Sequence, residues 1–247
     1  AIGYQAGYTN TTGQQVTFVG GSAGRSNTTA NYTTAIGNQS LYNNTTGSQN
    51  VGLGQNSLYN NTTGGQNVSV GSFSLDANTT GNYNTALGDN ALGSNTTASN
   101  NTAVGYQALL SCTTGHTNVA VGKNSGVSLT TGIQNVFIGD NAGDAITSAN
   151  YNTAVGSDAL PVGTTGNYNS CFGISSGNRI TSGTLNTCVG QGAGGHQVTG
   201  TNCSFLGNGA GQSSSPGGSI TGNNTIVLGN NAVNAIHTQV SLTVASD

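Results

Sequence analysis

The chain has 247 residues, 33% apolar and 4% charged, with 41 Gly, 2 Pro, no Met and no Trp, against about 25% charged residues in an ordinary globular domain. Six Asp, no Glu, three Lys plus Arg and three His leave too few ionisable groups for most acid–base active sites, and a net charge of −3 offers no basic footprint for nucleic acid. No run of 18 or more apolar residues is present, so no membrane insertion is expected, and the opening Ala1-Ile2-Gly3 lacks the charged and apolar regions of a signal peptide.

Low complexity in Asn, Thr, Gly and Ser suits either a disordered linker or a repeat, and periodicity separates the two. A Gly that follows an aliphatic or aromatic residue recurs at Gly3, Gly20, Gly37, Gly54, Gly71, Gly88, Gly105, Gly122, Gly139, Gly156, Gly173, Gly190 and Gly207, every interval being 17 residues. A fourteenth anchor, Gly229, follows after 22, which places the extra residues in the stretch from Gln212 to Gly222 that holds Pro216. A disordered chain has no reason to keep phase this long, whereas stacked coils do. The residue before the anchor is always a larger hydrophobe, and the residue three after it is always Ala or Ser. The next position is Leu or Gly, once Val233. Asn recurs four before the anchor from Asn50 to Asn186, and Thr eight after it from Thr11 to Thr181.

Seventeen residues cannot hold two helices, and the Gly content disfavours even one. The expectation is an all-β parallel β-solenoid of the β-roll type, two short strands per rung (Asn-Thr-Ala-Val and Ala-Leu-x-x) with turns at the anchor Gly and at Thr-Thr-Gly. Regular rungs are assigned to 1–211, an insertion loop to 212–222, and the last rung with an exit strand to 223–247. At about 4.8 Å per rung the rod is on the order of 65 Å long. Identical residues then sit above one another, so the Asn and Thr columns are expected to form ladders along it.

In Asn101-Thr102-Ala103-Val104 the small Ala and the larger Val point to opposite faces. The small face suits a thin interior. The larger face makes a long aliphatic stripe that a soluble monomer would not leave bare, which predicts self-association along the rod, three-fold being the simplest closed arrangement.

The run Asn101-Thr102-Ala103-Val104-Gly105-Tyr106-Gln107-Ala108-Leu109, echoed from Asn84 to Leu92 and from Asn152 to Leu160, resembles the head repeats of trimeric autotransporter adhesins and the repeat arrays of phage tail fibres. The resemblance implies left-handed parallel β-rolls that trimerise, although the period of 17 is longer than that of the bacterial heads. The alternation from Ile236 to Asp247 suggests an exit strand, and the closing Ser246-Asp247 resembles the junction at which the intramolecular chaperone of phage fibres cleaves itself off. The missing Met and the start in mid-rung lead us to expect a longer parent chain. What the resemblance implies for function is a structural segment of a virion tail fibre: an extracellular, stiff homotrimeric shaft for host attachment, with a host cell-surface glycan or protein receptor and other fibre or baseplate proteins as partners. A bacterial trimeric surface adhesin is the alternative.

No catalytic, cofactor-binding or metal-binding residue is expected, and the chain is read as no enzyme. Asp76, Asp89, Asp140, Asp144, Asp158 and Asp247 occupy scattered registers, so no carboxylate pair for glycoside hydrolysis is evident; a polysaccharide depolymerase would need a site between subunits. His116, His196 and His237 lack partners at ligand spacing, and Gly190-Gln191-Gly192-Ala193-Gly194 is a corner of the repeat with no helix after it. Cys171 and Cys188 share an inward register in successive rungs, close enough for a disulfide but badly oriented for one, and Cys112 and Cys203 stand apart. Tyr32, Tyr83, Tyr151 and Tyr168 share one register, suited to turn packing or to stacking on sugars. An ice-binding solenoid is a rival suggested by the Thr columns, but adjacent residues such as Thr45-Thr46 would point apart.

Overall fold

A computed structural model describes residues 1–163, 165–212, 222–230 and 232. Its elements are thirteen three-residue strands, from β1 (Thr17–Val19) at 17-residue steps to β12 (Ser204–Leu206), then β13 (Ile226–Leu228), and no helix among the described residues. They form one parallel sheet in strict chain order. Strand β6 (Thr102–Val104) pairs Thr102, Ala103 and Val104 with Val119, Ala120 and Val121 of β7 (Val119–Val121), and the same offset recurs along the rod. The step from β12 to β13 keeps register, Phe205 opposite Val227, across 22 residues. The chain is thus a parallel β-solenoid with rungs of about 17 residues. The expected insertion loop lies outside the described residues except at its edges, and so do Pro216, Val233, His237 and the expected exit strand from Ile236 to Asp247.

One expectation needs correction: each rung has one strand, not two. The segment expected as the second strand, Ala108-Leu109 onward, is a run of tight turns in which Ala108, Leu110 and Cys112 donate to the carbonyls of Gly105, Gln107 and Leu109 (3.3, 3.2 and 3.1 Å). The turns are possible because alternate residues are left-handed, Gln107 at φ 56° and Leu109 at φ 51°. Such φ values cost a non-Gly residue about 1 kcal/mol or more. Inter-rung bonding offsets that cost, because the alternation aims successive N–H groups up and down the rod: Gln107 donates to Asp89 of one neighbouring rung (3.0 Å) and Leu109 to Ser125 of the other (3.0 Å). The backbone therefore hydrogen-bonds around most of the circumference, and a sheet ladder is needed only on one wall. At the anchors Gly is obligatory, since Gly105 has φ 134° and a Cβ there would lie 2.4 Å from the Gly122 carbonyl oxygen.

The Asn column is a buried amide ladder. Asn101 Oδ1 accepts from the backbone N–H of Asn118 (2.9 Å) and from its Nδ2 (3.3 Å), while Asn101 Nδ2 donates to the Gly115 carbonyl (2.8 Å). Each oxygen is answered by the next backbone N–H, so the ladder ends without an orphan where Cys203 N–H donates to Asn186 Oδ1 (3.0 Å). A second ladder, unforeseen from the sequence, runs from Asn10 through Asn27, Asn44, Asn61 and Asn78 to Asn95, side chain to side chain, for example Asn95 Nδ2 to Asn78 Oδ1 (2.7 Å). Its oxygens depend on the next amide. Cys112 stands in that place, and Asn95 Oδ1 is buried without a partner. Beyond it the column turns apolar with Leu129 and Ile146. The Thr column works differently from a hydroxyl ladder: from Thr11 to Thr130 each Oγ1 donates to the next rung's Thr carbonyl, as Thr45 does to Thr62 (3.0 Å).

The apolar interior conserves volume between two positions. Where the inward strand residue is Ala, as at Ala103, the residue four after the anchor is usually a buried Leu such as Leu109. Where it is Phe137, two glycines make room: a Cβ on Gly143 would meet the ring at 2.6 Å and one on Gly126 at 2.8 Å. Phe18 does the same with Gly24 and Gly7, and the thiols of Cys171 and Cys188 occupy the space over Gly177 and Gly194.

Two outcomes follow for stability. Removing the Asn101 side chain (Asn101→Ala) strands the Asn118 N–H and leaves the Gly115 carbonyl with only the Cys112 thiol as donor (3.2 Å), at about 1–3 kcal/mol in urea unfolding. Phe137→Ala alone is expected to cost about 3–5 kcal/mol and Gly143→Leu alone to overpack, while the double variant regains most of the loss; additive losses in the double-mutant cycle would contradict the shared volume.

Candidate functional site

Thirteen stacked strands present one outward face with two columns. The column one before the anchor carries Ile36, Leu53, Val70, Leu87, Val104 and their equivalents, and the column three before it carries Thr34, Val51, Val68, Thr85, Thr102 and theirs. The Ala between them is fully buried, so the single chain keeps its small face inside and its larger face outside, as the alternation requires. Val68 and Val70 are each 36% exposed, Phe172 41% and Leu206 54%. Neither column contains a charged residue in any strand. This uncharged stripe, continuous from β1 to β13, is the most extended surface feature of the rod.

A row Thr-x-aliphatic therefore recurs on the face at Thr34–Ile36, Thr85–Leu87, Thr102–Val104, Thr153–Val155 and Thr187–Val189. The ice-binding rival rests on the Thr-Thr corners. In those corners the first hydroxyl is spent, since Thr45 and its equivalents donate to the backbone of the next rung, while the second residue, such as Thr46, is exposed. The outward strand Thr residues are a further array, and the sequence already carried their signal in the period-two alternation of each strand.

Four of the nine tyrosines stack on one another in two pairs. Tyr151 and Tyr168 lie 4.7 Å apart and 3° from parallel, so one face of each is taken by the other. Tyr42 and Tyr59 stack at 5.1 Å, with the Arg25 guanidinium 5.4 Å from the Tyr42 ring and 5.7 Å from Tyr8. Rings stacked along the axis turn their edges outward, which leaves little platform for a sugar. Tyr32 and Tyr83, in the same register, are exposed and unstacked on other aromatics among the described residues.

The ionisable groups remain dispersed. Among the described residues no three His, Cys or Asp side chains gather as a metal site. His116 Nδ1 lies 3.2 Å from Thr117 Oγ1 on the surface. Cys112, Cys171, Cys188 and Cys203 are free and buried; burial pushes the Cys112 thiol up to about 12. The Cys171 thiol is held well above its usual range by its hydrogen bond to Cys188 and by burial, so it stays protonated and inert. Asp158 accepts from Asn141 (3.3 Å) and Ser157 (3.2 Å), and its charge, after desolvation, helps to raise the pKa of Asp144. Asp144 Oδ1 is buried with no hydrogen-bond partner. The charge of Asp158 thus reaches Asp144, although the sequence suggested only scatter. No family model, no curated protein and no solved structure matches the chain.

Because Asp144 has a raised pKa in the folded state, its ionisation opposes folding: stability is greatest below the unfolded value of 3.8 and falls as pH rises through the folded pKa. Asp144→Asn is expected to raise the Tm at pH 7 by about 1 °C, the effect being small at a partly screened site. That gain should vanish below pH 3.8, which melts at the two pH values would check.

Proposed function

We propose that the chain is a segment of a stiff homotrimeric fibre for attachment to a host cell, of the kind found in phage tail fibres, and that it acts without catalysis. The observation that carries this reading is the uncharged aliphatic stripe along all thirteen strands. Water against such a stripe is costly over its whole length, and burying it against two sister rods removes that cost while leaving the turn-lined walls outside. Parallel rods with the same rung repeat meet column to column, so contacts add along the axis. A closed ring avoids the open-ended assembly that head-to-tail contacts risk. Stacked backbone ladders then give a shaft that transmits position and force without moving parts. Extracellular placement and baseplate or fibre partners belong to the same proposal, with a bacterial surface adhesin as the other owner of such a rod.

The Thr-x-aliphatic rows, interrupted at Val51, Val68, Val119 and Val136, favour one second reading, adsorption to ice, because a rigid, uncharged array of methyl and hydroxyl groups can order water in a lattice. The two readings use the same face and diverge in solution mass. For the fibre, the purified chain should sediment at three times 24.3 kDa. Val104→Lys combined with Val121→Lys should yield folded monomers with an unchanged circular dichroism spectrum. A wild-type monomer that produces thermal hysteresis would overturn the fibre in favour of ice, and a wild-type monomer without it would overturn both.

A further inference from the structure

The turn side of the rod changes character in its last rungs. Five residues after the anchor, earlier rungs carry Tyr8, Arg25, Tyr42, Tyr59 or Leu110, and two after it they carry Gln39, Asn56, Gln107 or Asn124. Gly93 is the one earlier glycine at either position; the rung after Gly190 has glycine at both, Gly192 and Gly195, and the next has Gly209 at one and Gln212 at the other. Where the side chains are missing, a cleft of about 390 Å³ opens, lined by Ser175, Asn178, Gln191, Gly192, Asn208 and Gln212. Its walls are hydroxyl, amide and bare backbone, without a charged group. Gln212 reaches across it from the next rung, its Nε2 donating to the Gly192 carbonyl (3.0 Å). Asn208 Nδ2 donates to Gln191 Oε1 (3.3 Å) along one edge. Asn178 has its Oδ1 buried and unpartnered. It also borders a second cleft of about 310 Å³ with Val162, Arg179, Thr181 and Val198.

We propose that this amide-lined cleft binds a pyranose unit of a glycan, with the next unit of the chain lying toward Val198 and Arg179. Neutral amides and hydroxyls offer paired donors and acceptors to ring hydroxyls, which present the same pairing in return, while a charged or apolar ligand finds little to match in the first cleft. The volume falls within the range of small-ligand sites and holds about one sugar ring. An orphaned buried acceptor such as Asn178 Oδ1 is costly, and a hydroxyl donated after a turn of that side chain would recover that cost. The cleft is built from turn residues rather than from the outer strand columns, so assembly through the stripe and sugar binding do not compete for the same side chains. The assignment deepens the host-attachment reading and rests on it for its biological sense, but it needs only a single folded rod.

The test is a titration of the ¹⁵N-labelled chain with free N-acetylglucosamine, galactose, rhamnose and glucuronate, read at the side-chain amide signals of Asn178, Gln191, Asn208 and Gln212. At least one of the sugars should shift these signals saturably at millimolar concentration, as expected of a shallow, wet site. A neutral sugar matching or exceeding glucuronate assigns the first cleft as drawn. The blocking variant is Gly192→Gln. Gln107 holds the equivalent position at φ 56° against 64° for Gly192, so the backbone accepts it, and the new Cβ meets only the mobile end of Gln212. It should weaken binding at least about tenfold, or 1.4 kcal/mol, with an unchanged Tm. Gly209→Asn, filling the same column one rung on, should act in the same direction. Absence of shifts with all four sugars, glucuronate alone binding, or unaltered affinity in Gly192→Gln at unchanged Tm would overturn the proposal. The trimer mass is measured separately, so the cleft can fail while the fibre stands, and the reverse.

Discussion

The constraint on which the molecule depends is equal circumference. Each backbone N–H that points along the axis must find a carbonyl one rung away, and it does so only if every coil takes the same number of residues to return. Thr102 donates to Asn118, Gln107 to Asp89, Leu109 to Ser125 and Thr113 to Thr130, all between neighbouring rungs. A single residue inserted within the bonded part of a coil would slip its partners and turn inward side chains outward. The lengthened unit near Gly229 keeps its strand in register, Ser204 opposite Ile226, so the extra length is absorbed before the strand begins. Side chains reinforce the same condition: the Asn101 amide works only because Asn118 sits directly above it.

Inside this frame the rod tolerates substitution where volumes trade. A Phe at the inward strand position is matched by Gly at the facing turn in its own rung and in the one before, as with Phe137, Gly143 and Gly126. A close-packed interior with no neighbouring layer to relax into leaves little other choice. Polar columns obey a different rule. The ladder from Asn50 to Asn186 ends safely because each oxygen is answered by backbone, whereas the ladder ending at Asn95 is answered only by side chains and leaves one oxygen bare at Cys112. A column of the first kind can stop at any rung, while one of the second kind pays for its end.

The two sides of the coil divide the surface between them. The strand wall repeats without charge from end to end, which suits a partner of the same period. The turn wall varies from rung to rung, from stacked Tyr42 and Tyr59 to the glycines at Gly192 and Gly195, which suits local recognition. The proposed fibre would use both, a monotonous seam for assembly and a variable flank for contact.

Period, parallel stacking, the inward Ala and outward Val columns and the first Asn ladder were all legible in the sequence, because each rests on a residue repeated at a fixed interval, and repetition in a solenoid is contact. The sequence also held the trade between Phe137 and its glycines, though only the packed interior explains it. Three things waited for the tertiary structure. The turn run beginning at Ala108-Leu109 reads as a strand, since alternation of apolar residues does not reveal the left-handed φ of Gln107 and Leu109 that lets a non-strand segment bond to both neighbours. The coupling of Asp144 with Asp158 joins different registers, which no column shows. The amide cleft is made of side chains from successive rungs around missing ones, and a space bounded by residues distant in sequence exists only once the coils are piled.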